Sequence, residues 1–277
     1  MNKVKALVLR AAGTNCDKET EFAFELAGVS ADALHINELA EHPNLLRNYQ
    51  ILALPGGFTY GDDISAGKLL ANEIKERLSD IFLEFVEADK LIIGICNGFQ
   101  TLVKIGVLPG NIKTGNTEVI ESEIVKQAEQ SDGFTQSATL HWNDTFKFEA
   151  RWVFLKVPKN SNSVFLQGIE QLSLPVAHAE GKFIVLGDYV IKKLELLERV
   201  ALRYVAQDGG KAVYPYNPNG SMGDIAGISD STGRILGIMP HPERFLFYYN
   251  HPAWTRMTER KADGLEIFVN AANYFTQ

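Results

Sequence analysis

Leu91-Ile92-Ile93-Gly94-Ile95-Cys96-Asn97-Gly98-Phe99-Gln100 is the stretch whose reading decides the architecture. Leu91 to Ile95 is a run of apolar or small residues too short for a helix, so it predicts a buried parallel strand. From Asn97 to Ile105 (NGFQTLVKI) the apolar residues recur at helical spacing. Cys96 falls at the junction, with Gly94 and Gly98 two residues to either side. A sharp strand-to-helix turn lifts its middle side chain above the sheet and admits only small neighbours, which is the construction of a nucleophile elbow. The positive end of the helix dipole favours thiolate over thiol at such a position. A free cysteine in a soluble protein is most often buried and inert. Here the flanking glycines at a strand end point to a nucleophile instead.

Working outward, the chain continues as alternating strands and helices. Val4 to Leu9 predicts a strand that runs into Ala12-Gly13-Thr14-Asn15-Cys16-Asp17, a turn in which Asn15 or Asp17 can cap the amphipathic helix Glu19 to Leu26. Ala31 to Ile36 and Tyr49 to Leu54 predict further strands, and Pro43 interrupts the short helical stretch between them. The third strand ends at Pro55-Gly56-Gly57-Phe58, and a glycine-rich loop through Tyr60-Gly61-Asp62-Asp63 leads to helices at Ala66 to Leu78 and Ile81 to Val86. This alternation predicts an α/β fold with a parallel sheet covered on both faces. In such sheets, working loops gather at the C-terminal strand ends. Asn15, Gly57 and Cys96 should therefore meet on one rim. Gly61 to Leu69 imitates a phosphate-binding loop, but it has five residues between its glycines and Leu69 where a magnesium-binding hydroxyl belongs, so no nucleotide site is read there.

The second half is richer in strands. They are expected at Ala138 to Trp142, Arg151 to Val157, Leu174 to His178 and Arg199 to Val205, with a helix at Asp188 to Leu197. Asn111 to Gln136, polar and irregular, reads as edge strands and a surface excursion, and Asn217 to Gly223 as an exposed turn. Ile225 to Ile228 and Ile235 to Met239 form a hairpin across Asp230-Ser231-Thr232-Gly233, and a helix from Gly264 to Tyr274 closes the chain. No composition shift marks a boundary, so residues 1–277 are expected to form a single domain.

The composition limits what the protein can do. The net charge of −7 argues against non-specific binding of nucleic acid or of an anionic membrane. Only two cysteines, no signal-peptide pattern and no long apolar span lead to the expectation of a reducing cytoplasm.

An activated cysteine needs a base, and Met239-Pro240-His241-Pro242-Glu243-Arg244 at the end of the second hairpin strand supplies a candidate. His241 can take the thiol proton and return it to a leaving amine, and Glu243 can hold the imidazole in one tautomer. His35, His42, His141 and His251 are read as ordinary hydrogen-bonded core or surface residues, no two histidines have metal-ligand spacing, and a His-x-Glu deaminase would need a Pro-Cys-x-x-Cys that is missing. No metal is expected.

Gly94-x-Cys96-x-Gly98-x-Gln100 together with Pro240-His241-Pro242-Glu243 resembles the class I (triad) glutamine amidotransferases. Gly13 to Asp17, Pro55 to Asp62, Pro175 to Gly181 and Tyr216 to Ser221 narrow the resemblance to the glutaminase components of phosphoribosylformylglycinamidine synthases. It runs along almost the whole chain and is weakest from Gly115 to Gln136 and after Phe245. The resemblance implies a flavodoxin-like, mostly parallel α/β sheet with helices on both faces. It implies Cys96, His241 and Glu243 as catalytic triad, the N–H groups of Gly57 and Asn97 as oxyanion hole, and Phe58, Gln100 and His178 as substrate-pocket residues. Cys16 follows the family pattern, but nothing requires it to react, and it is read as structural.

The activity implied is hydrolysis of L-glutamine to glutamate and ammonia. The chain offers no ATP site of its own, so the resemblance implies a partner: the synthetase subunit of phosphoribosylformylglycinamidine synthase, with ATP and magnesium bound there, and a small accessory subunit. Two other readings fit the triad motifs less well. One is a stand-alone Cys-His-Glu hydrolase of γ-glutamyl substrates or the glutaminase of another pathway; the other is a non-catalytic regulatory subunit.

Overall fold

The computed structural model describes residues 3–110, 136–257 and 261–276; the expected excursion from Asn111 lies outside these, except for Gln136. Its centre is a nine-stranded sheet with the order β2-β1-β3-β4-β11-β10-β9-β6-β7. The first half consists of β1 (Lys5–Arg10), β2 (Ser30–His35), β3 (Ile51–Leu54) and β4 (Leu91–Ile95), all parallel. The second half is β6 (Glu149–Lys156), β7 (Gln171–His178), β9 (Val200–Val205) and β10 (Ile225–Ser229), each antiparallel to its neighbours. β11 (Ile235–Ile238) joins the halves. It leaves β10 through the expected hairpin and lies parallel to β4, with Ile238 beside Ile95.

Every residue of β3, β4, β10 and β11 is buried, which explains why these segments, Ser229 apart, are apolar or glycine and not alternating. Helix α1 (Asp17–Leu26) packs on the C-terminal helix Asp263–Asn273, with Phe24 edge-on to Phe268 at 5.0 Å between ring centres. Cys16 takes the N-cap position of α1, and not Asn15 or Asp17. The Cys16 carbonyl accepts from the Thr20 N–H and hydroxyl, while Asp17 pairs with Arg10 at 2.7 Å. Helix α2 (Ile36–Glu41) stops just before Pro43, and α3 (Lys68–Arg77) and α4 (Ser79–Glu87) follow the glycine-rich loop.

Helix α5 (Asn97–Ile105) lies against β3, β4, β11 and α3, and all nine of its residues are buried. Its first turn comes so close to β3 that a Cβ on Gly98 would stand 1.8 Å from the Leu54 carbonyl oxygen. A strand that the sequence reading did not anticipate, β8 (Lys182–Val185), pairs with β5 (Ala138–His141) as a separate two-stranded ribbon. Among the described residues, no helix is long and apolar enough to cross a membrane.

Candidate active site

Cys96 occupies the turn between β4 and α5 with φ 51° and ψ −103°, a conformation that non-glycine residues adopt at a cost of about 1–3 kcal/mol. Two contacts hold it there. Its N–H donates to the Ile238 carbonyl of β11 at 2.7 Å, and its own carbonyl accepts from the Gln100 N–H. The thiol is 5% exposed and points to the Ala177 carbonyl at 3.8 Å. Burial pushes this thiol up, nearby Cys16 and Glu243 add to the effect, and Arg244 opposes it in part. Burial thus acts against the helix dipole, which favours the thiolate.

The candidate base, His241, is within the fold's reach because β11 runs beside β4 and ends on the same rim. Three residues after β11, the His241 N–H donates to the Pro175 carbonyl of β7 at 2.8 Å, fixing the backbone under the ring. Nδ1 of His241 and Oε1 of Glu243 are 2.6 Å apart, with the two residues 1% and 2% exposed. Nε2 is buried and has no hydrogen-bond partner among the described residues. Gly56 supplies the room for this ring, since a Cβ there would come within 2.7 Å of His241 Cε1.

Gly57 follows with φ 140°, and a Cβ on it would strike the Asn15 backbone nitrogen at 2.7 Å. The loops after β1 and β3 are thereby locked together, and Asn15, Gly57 and Cys96 share a rim as expected. Among the described residues, no carbonyl accepts from the Gly57 N–H. The Asn97 N–H, first in α5, lies beyond the reach of intrahelical bonding. The Asn97 side chain donates to Asp62 at 2.7 Å and to Gln100 Oε1 at 3.2 Å. Burial, with Glu180 close by, pushes the Asp62 carboxyl up to about 6.

The three expected pocket residues differ in their surroundings. Phe58 is half exposed and stacks on Phe148 at 6.2 Å, on the open side of the rim. The Gln100 amide is committed to Asn97 and to the Glu180 carbonyl. His178 is buried, with Nδ1 3.1 Å from Asn143 Oδ1 and Nε2 3.5 Å from Asn219 Nδ2, and burial pushes it down to about 3. Its neutral ring is held from behind by asparagines that the sequence reading missed. Asn217, Asn219 and Ser221 are buried and hydrogen-bonded among themselves, which corrects the reading of this segment as an exposed turn. Polar residues in a turn motif look alike in sequence whether they face water or satisfy one another inside. Also missed was Arg244, whose Nη2 donates to Cys16 Sγ at 3.0 Å.

A cysteine elbow on a doubly wound sheet, set on one rim with a buried His–Glu pair, defines the class of the triad glutamine amidotransferases. Comparison with known proteins narrows it. Residues 3–275 match the CobB/CobQ-like glutamine amidotransferase domain family, and the chain belongs to that family. The phosphoribosylformylglycinamidine synthase subunit PurQ of Dehalococcoides mccartyi is 47% identical over 279 residues, with 100% of each chain covered. The same-named subunit of Methanococcus maripaludis strain S2 is 37% identical, covering 99% of this chain and 98% of its own. Among solved structures, PurLQS from Thermotoga maritima aligns with a TM-score of 0.69 at 29% identity, with 99% of each chain covered.

Proposed function

We propose that this chain is the glutaminase subunit of a phosphoribosylformylglycinamidine synthase. The observation that carries the chemistry is His241, a buried imidazole with Nδ1 fixed by Glu243 and Nε2 without a protein partner, on the rim that holds Cys96. Cys96 Sγ turns from the Ala177 carbonyl to attack the side-chain amide carbon of glutamine while Nε2 accepts the thiol proton. Hydrogen bonds of this kind are commonly long before substrate arrives, so their absence here does not count against the assignment. The N–H groups of Gly57 and Asn97 stabilise the tetrahedral oxyanion, each worth about 3–4 kcal/mol of barrier. Collapse breaks the C–N bond, His241 returns the proton to ammonia, and water then cleaves the γ-glutamyl thioester to glutamate. Phe58 borders the pocket, Gln100 braces the elbow, and His178 supports the wall behind it.

Ammonia passes to the synthetase subunit, where ATP and magnesium activate the amide oxygen of formylglycinamide ribonucleotide; a small accessory subunit completes the complex. The chain works as one domain in the cytoplasm. Support for a single domain comes from the nine-stranded sheet, which takes strands from both ends of the chain. The test is ammonia release from glutamine by the complex, with and without the synthetase subunit, ATP and formylglycinamide ribonucleotide. Cys96→Ser is expected to abolish glutamine-dependent amination, and an electrophilic glutamine analogue should label Cys96 and leave Cys16 free. A Cys96→Ser complex that still uses glutamine would overturn the reading.

A further inference from the structure

Cys16 has no part in the chemistry above, yet its thiol borders the same buried space as two groups that do. Cys16 Sγ, a ring nitrogen of His241 and a carboxylate oxygen of Glu243 lie within 4.8 Å of one another, all on buried residues. Gly56 puts no side chain against the cluster: a Cβ there would lie 2.7 Å from His241 Cε1, 3.3 Å from His241 Nδ1 and 3.4 Å from Cys16 Sγ. Two further donor atoms, His241 Nε2 and Glu243 Oε2, are buried without a hydrogen-bond partner among the described residues.

Thiolate, imidazole and carboxylate together are a donor set for zinc, not for magnesium or calcium, which prefer oxygen alone. A tetrahedral zinc with bonds of about 2.0–2.3 Å holds its ligand atoms roughly 3.3–3.8 Å apart. The Cys16 thiol therefore closes on the other two groups by up to about an ångström, while the His241–Glu243 pair, now 2.6 Å apart, gives up its hydrogen bond and opens to admit the ion. The geometry points to a binding site for a thiophilic divalent cation, zinc foremost, formed by Cys16, His241 and Glu243, whose occupation switches glutamine hydrolysis off.

On binding, the metal–sulfur bond replaces the Cys16 S–H bond and the proton goes to solvent. One imidazole nitrogen is taken by the metal, and the Glu243 carboxylate turns from orienting the ring to ligating the ion. His241 then has no lone pair with which to relieve Cys96 of its proton. The nearby cation, Arg244, opposes the incoming charge but keeps its hydrogen bond to the sulfur, now a thiolate. Selection against magnesium matters here, because the proposed synthetase reaction uses that ion. Binding rests on the three donors alone, whereas inhibition rests also on the roles proposed for His241 and Glu243.

The two are separable by experiment. The chain has two cysteines, so in full-length Cys96→Ser any thiolate-to-cobalt charge-transfer band on adding Co²⁺ reports Cys16. The band should appear, be chased by zinc, be unaffected by magnesium, and vanish in Cys96→Ser/Cys16→Ala. In the assembled complex with Cys96 intact, zinc should inhibit glutamine use and a chelator restore it. Cys16→Ala and the size-preserving Cys16→Ser should turn over normally without zinc but need roughly tenfold more of it for half-inhibition. No band in Cys96→Ser, or equal zinc sensitivity of the Cys16 variants and the parent, overturns the site. A band with zinc-insensitive glutamine use overturns the role given to His241 and leaves the metal site standing.

Discussion

In the proposed mechanism His241 and Glu243 divide one task between them. Because the cysteine and its base act as a unit, removing either alone costs nearly all of the rate. His241→Ala is therefore expected to lower kcat for glutamine by several orders of magnitude, close to the loss in Cys96→Ser. Glu243→Gln, which still fills the buried space beside Nδ1, should cost roughly a hundredfold less than that. Steady-state glutaminase kinetics of the three variants in the complex would settle it; a mild His241→Ala beside a crippling Glu243→Gln reverses the roles. His178 makes a different prediction, for stability. Its ring is protonated near 6.5 in the unfolded chain but only near 3 in the fold, so the unfolded state binds the extra proton between those values. The stability this group contributes is complete above about pH 6.5 and is lost at up to ~1.4 kcal/mol per pH unit as pH falls toward 3. Denaturant unfolding of His178→Gln between pH 7 and 4.5 should show a shallower pH dependence than the parent. An unchanged slope would mean that other groups carry it.

At the scale of elements, the elbow depends on how closely α5 approaches β3. Gly98→Ala puts a methyl group into the Leu54 carbonyl, and the backbones at the junction have no side-chain freedom with which to yield. A loss of about 2–3 kcal/mol in stability, read as a lowered Tm, is expected together with loss of glutaminase activity. A variant as stable and as active as the parent would show that the junction is looser than drawn. Most elements were legible in the sequence to within one or two residues, because apolar runs and helical spacing are local properties. So were the turns that carry Cys96 and the His241–Glu243 pair, which glycine and proline neighbours mark. β8 was not: Lys182 to Val185 alternates over only four residues, too few to stand out from the surrounding loops. Nor was the network of Asn143, Asn219 and Ser221 behind His178, since the bonds that tie Asn143 and Asn219 to the ring join segments that only the tertiary fold brings together.

For the whole molecule, the question is coupling to the partner. The loop after Phe58 holds Tyr60, Asp62 and Ile64 all at positive φ, a strain of about 1–3 kcal/mol each, and Ile64 is 84% exposed. Asp62 is hydrogen-bonded to Asn97 of the elbow, so a change in this loop reaches the oxyanion donors. The isolated chain is expected to hydrolyse glutamine slowly, and the synthetase subunit with its substrates to raise turnover about a hundredfold, as the repositioning of one donor allows. Ammonia added directly should sustain the amination even with Cys96→Ser. Full-speed hydrolysis by the isolated chain, indifferent to the partner, would favour an independent hydrolase.

The place of β11 has a consequence for how the enzyme comes into being. It is the last strand of the sheet to leave the ribosome, yet it lies in the middle, and it alone bridges β4 to the antiparallel half. Until it slots in, the two halves of the described sheet have no shared edge and His241 is not on the rim that holds Cys96. On the proposed mechanism the nucleophile can be made and folded early in synthesis without being armed, and an unfinished chain is expected not to squander glutamine.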